Sequence, residues 1–339
     1  MTVRVGINGF GRIGRNFLRA VRSTDADIEI VGVNDVTDAE NLGILLKFDS
    51  VHGRYPGDVV AEGDHLLVDG RKIVVLSERD PAELPWGELG ATVVVESTGK
   101  FTLRADAAKH LEGGAERVVV SAPSKDADLT VVMGVNDDKF DPALHRVVSN
   151  ASCTTNCFVP MVRVLDDAFG VEKGFLTTAH AMTNDQNLLD LPHRDVRKGR
   201  AAPLNIVPAS TGAARATGKV LPDMQGRLDG FAIRVPVGDG SLTDFVAIVR
   251  ASVGVEEVNA AFRAASDSGP LARFLEYSED PLVSSDIIGD PSSCIFDSQL
   301  TMAMPVTDTT TLVKVEGWYD NEWGYSNRLV DVVQLVSGK

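Results

Sequence analysis

The chain has 339 residues, of which 44% are hydrophobic and 24% charged, the balance of a globular protein with room for two domains. Its net charge of −15 argues against nucleic acid or an anionic membrane as a partner. Three cysteines make no disulfide framework, no apolar stretch approaches the roughly 18 residues of a membrane span, and no signal-peptide pattern opens the chain. The expected location is cytoplasmic.

Val3, Val5 and Ile7 alternate through a first predicted strand, after which Gly9-Phe10-Gly11-Arg12-Ile13-Gly14 opens a helix to about Arg22. A second strand, Ile28 to Asn34, ends at Asp35. Apolar runs at Ile73–Leu76, Val93–Glu96, Val118–Ser121, Val131–Val135 and Val147–Ser149 predict further strands, with a helix over Ala105–Leu111. This alternation predicts an α/β, doubly wound parallel Rossmann domain. Downstream, strands at Gly174–Ala181, Gly230–Val237, Ser241–Val253 and Leu312–Tyr319 intersperse with helices at Asn156–Phe169, Ser210–Leu221 and Val255–Ser266. They predict a second, α+β domain on a largely antiparallel sheet. Asn184–Pro208 is polar, basic and aperiodic, and a loop that long is usually functional or interfacial. The expected boundaries are 1–151, completed by a C-terminal helix over 325–339, and 152–324.

The glycine pattern lies between a strand and a helix, where Gly9 and Gly11 permit close backbone approach and Gly14 lets helix pack on strand. A pyrophosphate would rest on the helix N-terminus. Asp35, about 20 residues beyond Gly14, suits ribose hydroxyls and repels a 2′-phosphate, so the expected cofactor is NAD.

Cys153 falls in Ser149-Asn150-Ala151-Ser152-Cys153-Thr154-Thr155-Asn156-Cys157, where a strand ends and a helix begins. The unpaired N–H groups there favour a thiolate, although most free cysteines are merely small buried hydrophobes. Lowering a thiol pKa from about 8.5 to about 6 takes roughly 3.4 kcal/mol. A helix terminus gives only about 0.3–2 kcal/mol, so an imidazolium is expected to supply much of the rest. A nucleophilic thiol beside a nicotinamide cofactor suits oxidation of an aldehyde through a thiohemiacetal and a thioester, with a histidine as base. Of six histidines, His180 near a strand end is the best placed; His52 and His193 lie in polar loops, and His65, His110 and His145 look peripheral. Cys157, one helical turn on, reads as packed, and Cys294 as incidental. A zinc site from Cys153, Cys157 and His180 would lack a fourth ligand, so no metal is expected.

Gly6-Ile7-Asn8-Gly9-Phe10-Gly11-Arg12-Ile13-Gly14-Arg15, Ala151-Ser152-Cys153-Thr154-Thr155-Asn156, Thr183-Asn184-Asp185-Gln186, Ser210-Thr211-Gly212-Ala213-Ala214 and Trp318-Tyr319-Asp320-Asn321-Glu322-Trp323-Gly324-Tyr325 together resemble glyceraldehyde-3-phosphate dehydrogenase. The resemblance implies oxidative phosphorylation of glyceraldehyde 3-phosphate with NAD and inorganic phosphate, in a homotetramer. It implies Cys153 as nucleophile and His180 as general base, with Gly9, Gly11, Arg12, Ile13, Gly14, Asp35, Arg79, Ser121 and Asn321 at the cofactor. Ser152, Thr154, Thr183, Thr211, Gly212 and Arg234 match substrate and phosphate ligands, and Lys198 stands where several relatives carry a phosphate-binding Arg. A structural salt bridge is the plainer reading of Arg234. The stretch Asn184–Arg200 is similar to a loop that reaches a neighbouring subunit's cofactor, and Leu191-Pro192 agrees with NAD.

Departures cluster near the expected pocket: Met182 for Tyr, Lys198 for Arg, Ala202-Pro203-Leu204-Asn205, and Pro236-Val237-Gly238-Asp239-Gly240-Ser241 for the usual Pro-Thr-Pro-Asn-Val-Ser. They suggest an active paralogue tolerant of thiol-reactive inhibitors, with lineage drift as the plain alternative. Erythrose-4-phosphate dehydrogenase and a non-catalytic NAD-binding interaction protein are the competing functions. A cysteine acyltransferase or hydrolase would leave the dinucleotide pattern unused.

Overall fold

A computed structural model describes residues 2–339. The chain divides into two compact units, 1–131 with 137–151 and 326–339, and 132–136 with 152–325.

The first unit begins with β1 (Val3–Asn8), α1 (Arg12–Ser23), β2 (Ile28–Asn34) and α2 (Ala39–Lys47). A small ribbon, β3 (Phe48–Asp49) with β4 (Gly53–Arg54), precedes β5 (Val59–Glu62), β6 (His65–Val68) and β7 (Arg71–Leu76). Then come β8 (Val93–Glu96), the short helices α3 (Arg104–Ala107) and α4 (Lys109–Glu112), β9 (Arg117–Val120), β10 (Leu129–Thr130) and β11 (Val147–Ser149). Nine strands form one sheet in the order β10-β11-β9-β8-β1-β2-β7-β6-β5. It is parallel from β10 to β7 and antiparallel at the β7-β6-β5 edge. β1, β2 and β8 are almost wholly buried, as a sheet covered on both faces demands. The expected doubly wound sheet is present.

Besides α2 and the β3-β4 ribbon, which no predicted element covers, three details differ from the sequence reading. The β5-β6 hairpin has no strong apolar run and was not anticipated. The helix expected over Ala105–Leu111 is broken at Ala108 into α3 and α4. Val131–Val135 is not a strand: β10 stops at Thr130, and Val132 N–H turns back to Asn136 Oδ1 at 2.8 Å.

The second unit holds α5 (Cys153–Phe169), β12 (Val171–His180), β13 (Val207–Ser210), α6 (Ala213–Val220), β14 (Leu228–Arg234), β15 (Ser241–Val249), α7 (Val255–Asp267), β16 (Leu275–Ser278), β17 (Cys294–Thr307) and β18 (Thr310–Tyr319). The last helix, α8 (Trp323–Val336), begins in this unit and ends in the first. Seven strands run β13-β14-β12-β15-β18-β17-β16, antiparallel except at β12-β14 and β16-β17. β17 is the largest element the sequence reading missed, because its register slips between Asp297 and Met302 and its apolar alternation breaks there. Alternate residues of β15 are buried, and with Phe158, Met161 and Leu165 of α5 and Phe262 of α7 they form the core of this unit. Phe262 and Phe296 stack there, with ring centroids 3.8 Å apart. Among the described residues no helix is long and apolar enough to cross a membrane.

Candidate active site

In the first unit the glycine turn links β1 to α1. Gly9 has φ +91°, and a Cβ on it would meet Thr98 N at 2.6 Å. A Cβ on Gly14 would lie 2.2 Å from Gly9 O, so the third glycine is fixed by helix–turn contact. Nothing lies within 4 Å of a Cβ built on Gly11, the N-cap of α1, which carries no capping side chain and no acidic residue in its first turn. Open N–H groups at a helix start, without a competing carboxylate, suit a pyrophosphate.

Asp35 accepts from Phe10 N and Val36 N, each at 2.7 Å, one on each oxygen. The carboxylate is thereby fixed at the glycine turn with lone pairs left for ribose hydroxyls. Burial alone would raise the Asp49 carboxyl, but bidentate bonds from Arg12 at 3.0 and 3.1 Å hold it well below the usual range. The Arg12 side chain is thereby committed to Asp49. Ile13 follows it in the first turn, Arg79 is exposed, and Ser121 N–H donates to Glu96 O at 2.9 Å. These donors and acceptors fit an NAD adenosine and pyrophosphate. Asn321 lies in the second unit and accepts from Ser241 Oγ at 2.6 Å.

The sulfur sits at the start of α5. Ser152 caps that helix, accepting from Thr155 N at 3.0 Å. Ala151, fully buried, holds the left-handed conformation at φ +54°, sparsely populated for a residue with a Cβ. Cys153 is half-buried, and its Sγ lies 3.3 Å from His180 Nε2. His180 ends β12, only 3% exposed, and is the register partner of Arg234, which ends β14. Arg234 Nη1 donates to Ala181 O at 3.1 Å and Thr183 Oγ1 at 3.4 Å, and lies 2.8 Å from His180 Nδ1. Nδ1 is also 2.8 Å from Ala181 O. Sequence reading overlooked Tyr319, although it stands in the Trp318–Tyr325 motif. Its hydroxyl joins those of Thr154 (2.9 Å) and Thr178 (2.8 Å), and its ring meets the His180 ring edge-on.

Electrostatics depart from the expected thiolate–imidazolium pair. Burial pushes the Cys153 thiol up to about 11, opposed by the charge of Arg234 and by bonds from the Thr154 N–H and hydroxyl. Burial, reinforced by Arg234, lowers His180 to about 3. Burial thus favours the thiol and the neutral imidazole, and Arg234 is the cation that favours the thiolate. With the proton on sulfur, Nδ1–H donates to Ala181 O and Nε2 accepts from the thiol. Once that proton has left the pair, Nε2–H donates to the thiolate and Nδ1 accepts from Arg234. Arg234 Nη1, which can only donate, lies 2.8 Å from Nδ1 and favours the second arrangement; the Nδ1–H form requires that contact to open.

The plain reading of Arg234 as a salt-bridge arginine is not what the structure places there: no carboxylate pairs with it among the described residues, and its buried Nε has no partner. A half-buried guanidinium with no carboxylate partner and one unpaired N–H fits an anionic substrate group. Thr211 Oγ1 accepts from Ala213 N at 3.2 Å, and Gly212 caps the open start of α6. Lys198 Nζ is held by Asp185, so it reaches a phosphate only if that pair opens. Cys157 and Cys294 are buried in the core. His110, expected to be peripheral, is completely buried.

A dinucleotide-binding fold and a Cys–His pair 3.3 Å apart in one chain are the parts expected of a nicotinamide-dependent aldehyde dehydrogenase. Two family models match, "Glyceraldehyde 3-phosphate dehydrogenase, NAD binding domain" over residues 3–104 and its C-terminal domain over 152–321. Proteins named glyceraldehyde-3-phosphate dehydrogenase in Streptomyces coelicolor (58% identical over 339 residues, all of both chains) and Mycobacterium avium (57% over 342 residues, 99% of each) are similar throughout. One named glyceraldehyde-3-phosphate dehydrogenase 2 in Streptomyces avermitilis is 57% identical over its whole length. The chain belongs to the glyceraldehyde-3-phosphate dehydrogenase family and uses NAD.

Proposed function

We propose that the chain oxidises D-glyceraldehyde 3-phosphate to 1,3-bisphosphoglycerate, with residues 1–151 and 325–339 holding the cofactor and 152–324 the substrate. The observation that carries this reading is the 3.3 Å contact between Cys153 Sγ and His180 Nε2 beside an arginine without a carboxylate partner. Cys153 attacks the aldehyde carbon to form a thiohemiacetal. Bound NAD supplies the acceptor for the hydride that leaves this carbon. His180 Nε2 takes the hydroxyl proton as the carbonyl re-forms, giving a thioester on Cys153. Inorganic phosphate then attacks the thioester carbon, and the sulfur departs as thiolate beside Arg234.

Arg234 and Thr183 suit one phosphate group, and Ser152, Thr154, Thr211 and Gly212 with their helix-start N–H groups suit the other. Asn321, steadied by Ser241, is suited to orient the nicotinamide amide. Phe175 (69% exposed) and Phe231 (46% exposed) project from one face of the β12-β14 pair, and Met302, Met304 and Val306 are exposed on β17. Such apolar surface supports self-association, consistent with a homotetramer. Met182 N–H donates to Val237 O at 2.9 Å, tying two of the departures together and supporting an altered pocket rim. The test is NADH absorbance with glyceraldehyde 3-phosphate, with and without phosphate. Turnover that ignores phosphate would point to erythrose-4-phosphate dehydrogenase chemistry, and no turnover to a binding protein.

A further inference from the structure

Four register partners stand in a row across the end of the first sheet: Asn34, Asn8, Glu96 and Val120. The first three, with His110 and Trp86, form a buried polar chain that the mechanism leaves unused. Its hydrogen atoms are fixed from both ends. Trp86 Nε1, which can only donate, lies 3.0 Å from His110 Nδ1, so Nδ1 accepts and a neutral ring carries its proton on Nε2. Nε2–H then donates to Glu96 Oε2 at 3.0 Å. At the other end Glu78 N–H donates to Asn34 Oδ1 at 2.8 Å, which makes Asn34 Nδ2 the donor to Asn8 Oδ1 at 2.7 Å. Asn8 Nδ2 in turn donates to Glu96 Oε2 at 2.6 Å. Glu96 Oε1 accepts from Thr98 N at 2.8 Å and from the Thr98 hydroxyl. Four donors converge on one carboxylate.

Each anchored residue adjoins a residue read above as facing the cofactor. Asn8 precedes Gly9, Asn34 precedes Asp35, and Glu78 precedes Arg79, while Ser121 N–H bonds Glu96 O. We infer that Glu96 and His110 are positioning residues for the cofactor: by fixing Asn8, Asn34 and Glu78 they set the spacing of the glycine turn, the ribose carboxylate and the Arg79 arm. This rests on the assignment of those neighbours to NAD.

Glu96→Gln in the full-length enzyme puts an amide where donors converge. The expected result is an NAD dissociation constant raised roughly tenfold or more by calorimetry, with kcat at saturating NAD and the rate of Cys153 alkylation in the absence of NAD within about twofold of the parent. The double variant with His110→Phe should lose no more affinity than Glu96→Gln alone, since both remove one network. A folded Glu96→Gln protein that binds NAD as the parent does, or losses that simply add, would overturn the proposal. Nitrogen-15 NMR of the parent at pH 8 bears on it without any variant. His110 protonated on Nε2 is expected, and a proton on Nδ1 would refute the network. A parent that binds no NAD would instead sink the assignment of the cofactor residues and leave the NMR result standing.

Discussion

Glu96 in the first unit and Asp239 in the second are both almost wholly buried carboxyls, yet their surroundings are opposite. Glu96 meets four donors. Asp239 meets Gly240 N–H at 2.9 Å, but burial, Asp320 and Glu322 push it up to about 9, with Asp320 sharing its proton. His180 shares that frustrated setting. The contrast is local: Glu96 is satisfied and gives the first unit a fixed frame, whereas Asp239 and His180 in the second are held away from their ordinary protonation states.

Substitutions in the two units should therefore separate chemistry from binding. Cys153→Ser should lower kcat by about 10⁴-fold or more in the NADH assay, while calorimetry finds NAD affinity unchanged. His180→Asn should cost about 10²–10⁴ in kcat. An unaltered pH–rate profile in that variant would break the assignment of His180 as base. In the first unit, Asp35→Ala should weaken NAD by roughly 10–100-fold, as loss of a charged hydrogen-bond acceptor implies, and narrow the preference over NADP. A kcat that fell as steeply as affinity would blur the comparison.

The smallest effect concerns stability. A carboxyl raised in the fold binds its proton more tightly there than in the unfolded chain, so stability declines as pH rises from about 4 to about 9 through Asp239. His180 works the other way: lowered to about 3, it costs stability as pH falls from about 6.5 towards 3. Asp239→Asn removes the first of these terms. It should stabilise the protein on the order of 2 kcal/mol at pH 8 and much less at pH 5, read by urea titration at both values. An equal gain at both would show that the shared proton is not its source.

The candidate Cys153–His180 pair of the second unit was legible, because a cysteine at a helix start and a histidine at a strand end are local patterns. The glycine turn and Asp35 were legible for the same reason. What escaped was tertiary. His110 looked peripheral because nothing within α4 announces Trp86, and Tyr319 gave no sign that it would join two threonine hydroxyls from different elements. Protonation was less legible: helix position and a neighbouring histidine can be read in one dimension, but the desolvation that raises the thiol depends on the finished core.

His180 and Arg234 face each other only because β12 and β14 pair in one particular register. A slip of a single residue would send the guanidinium to the opposite side of the sheet. Dehydrogenase turnover is therefore a built-in proofreading signal for assembly. During refolding, recovered activity would count only the molecules whose strands have zipped correctly, whereas circular dichroism would count the misaligned ones as well.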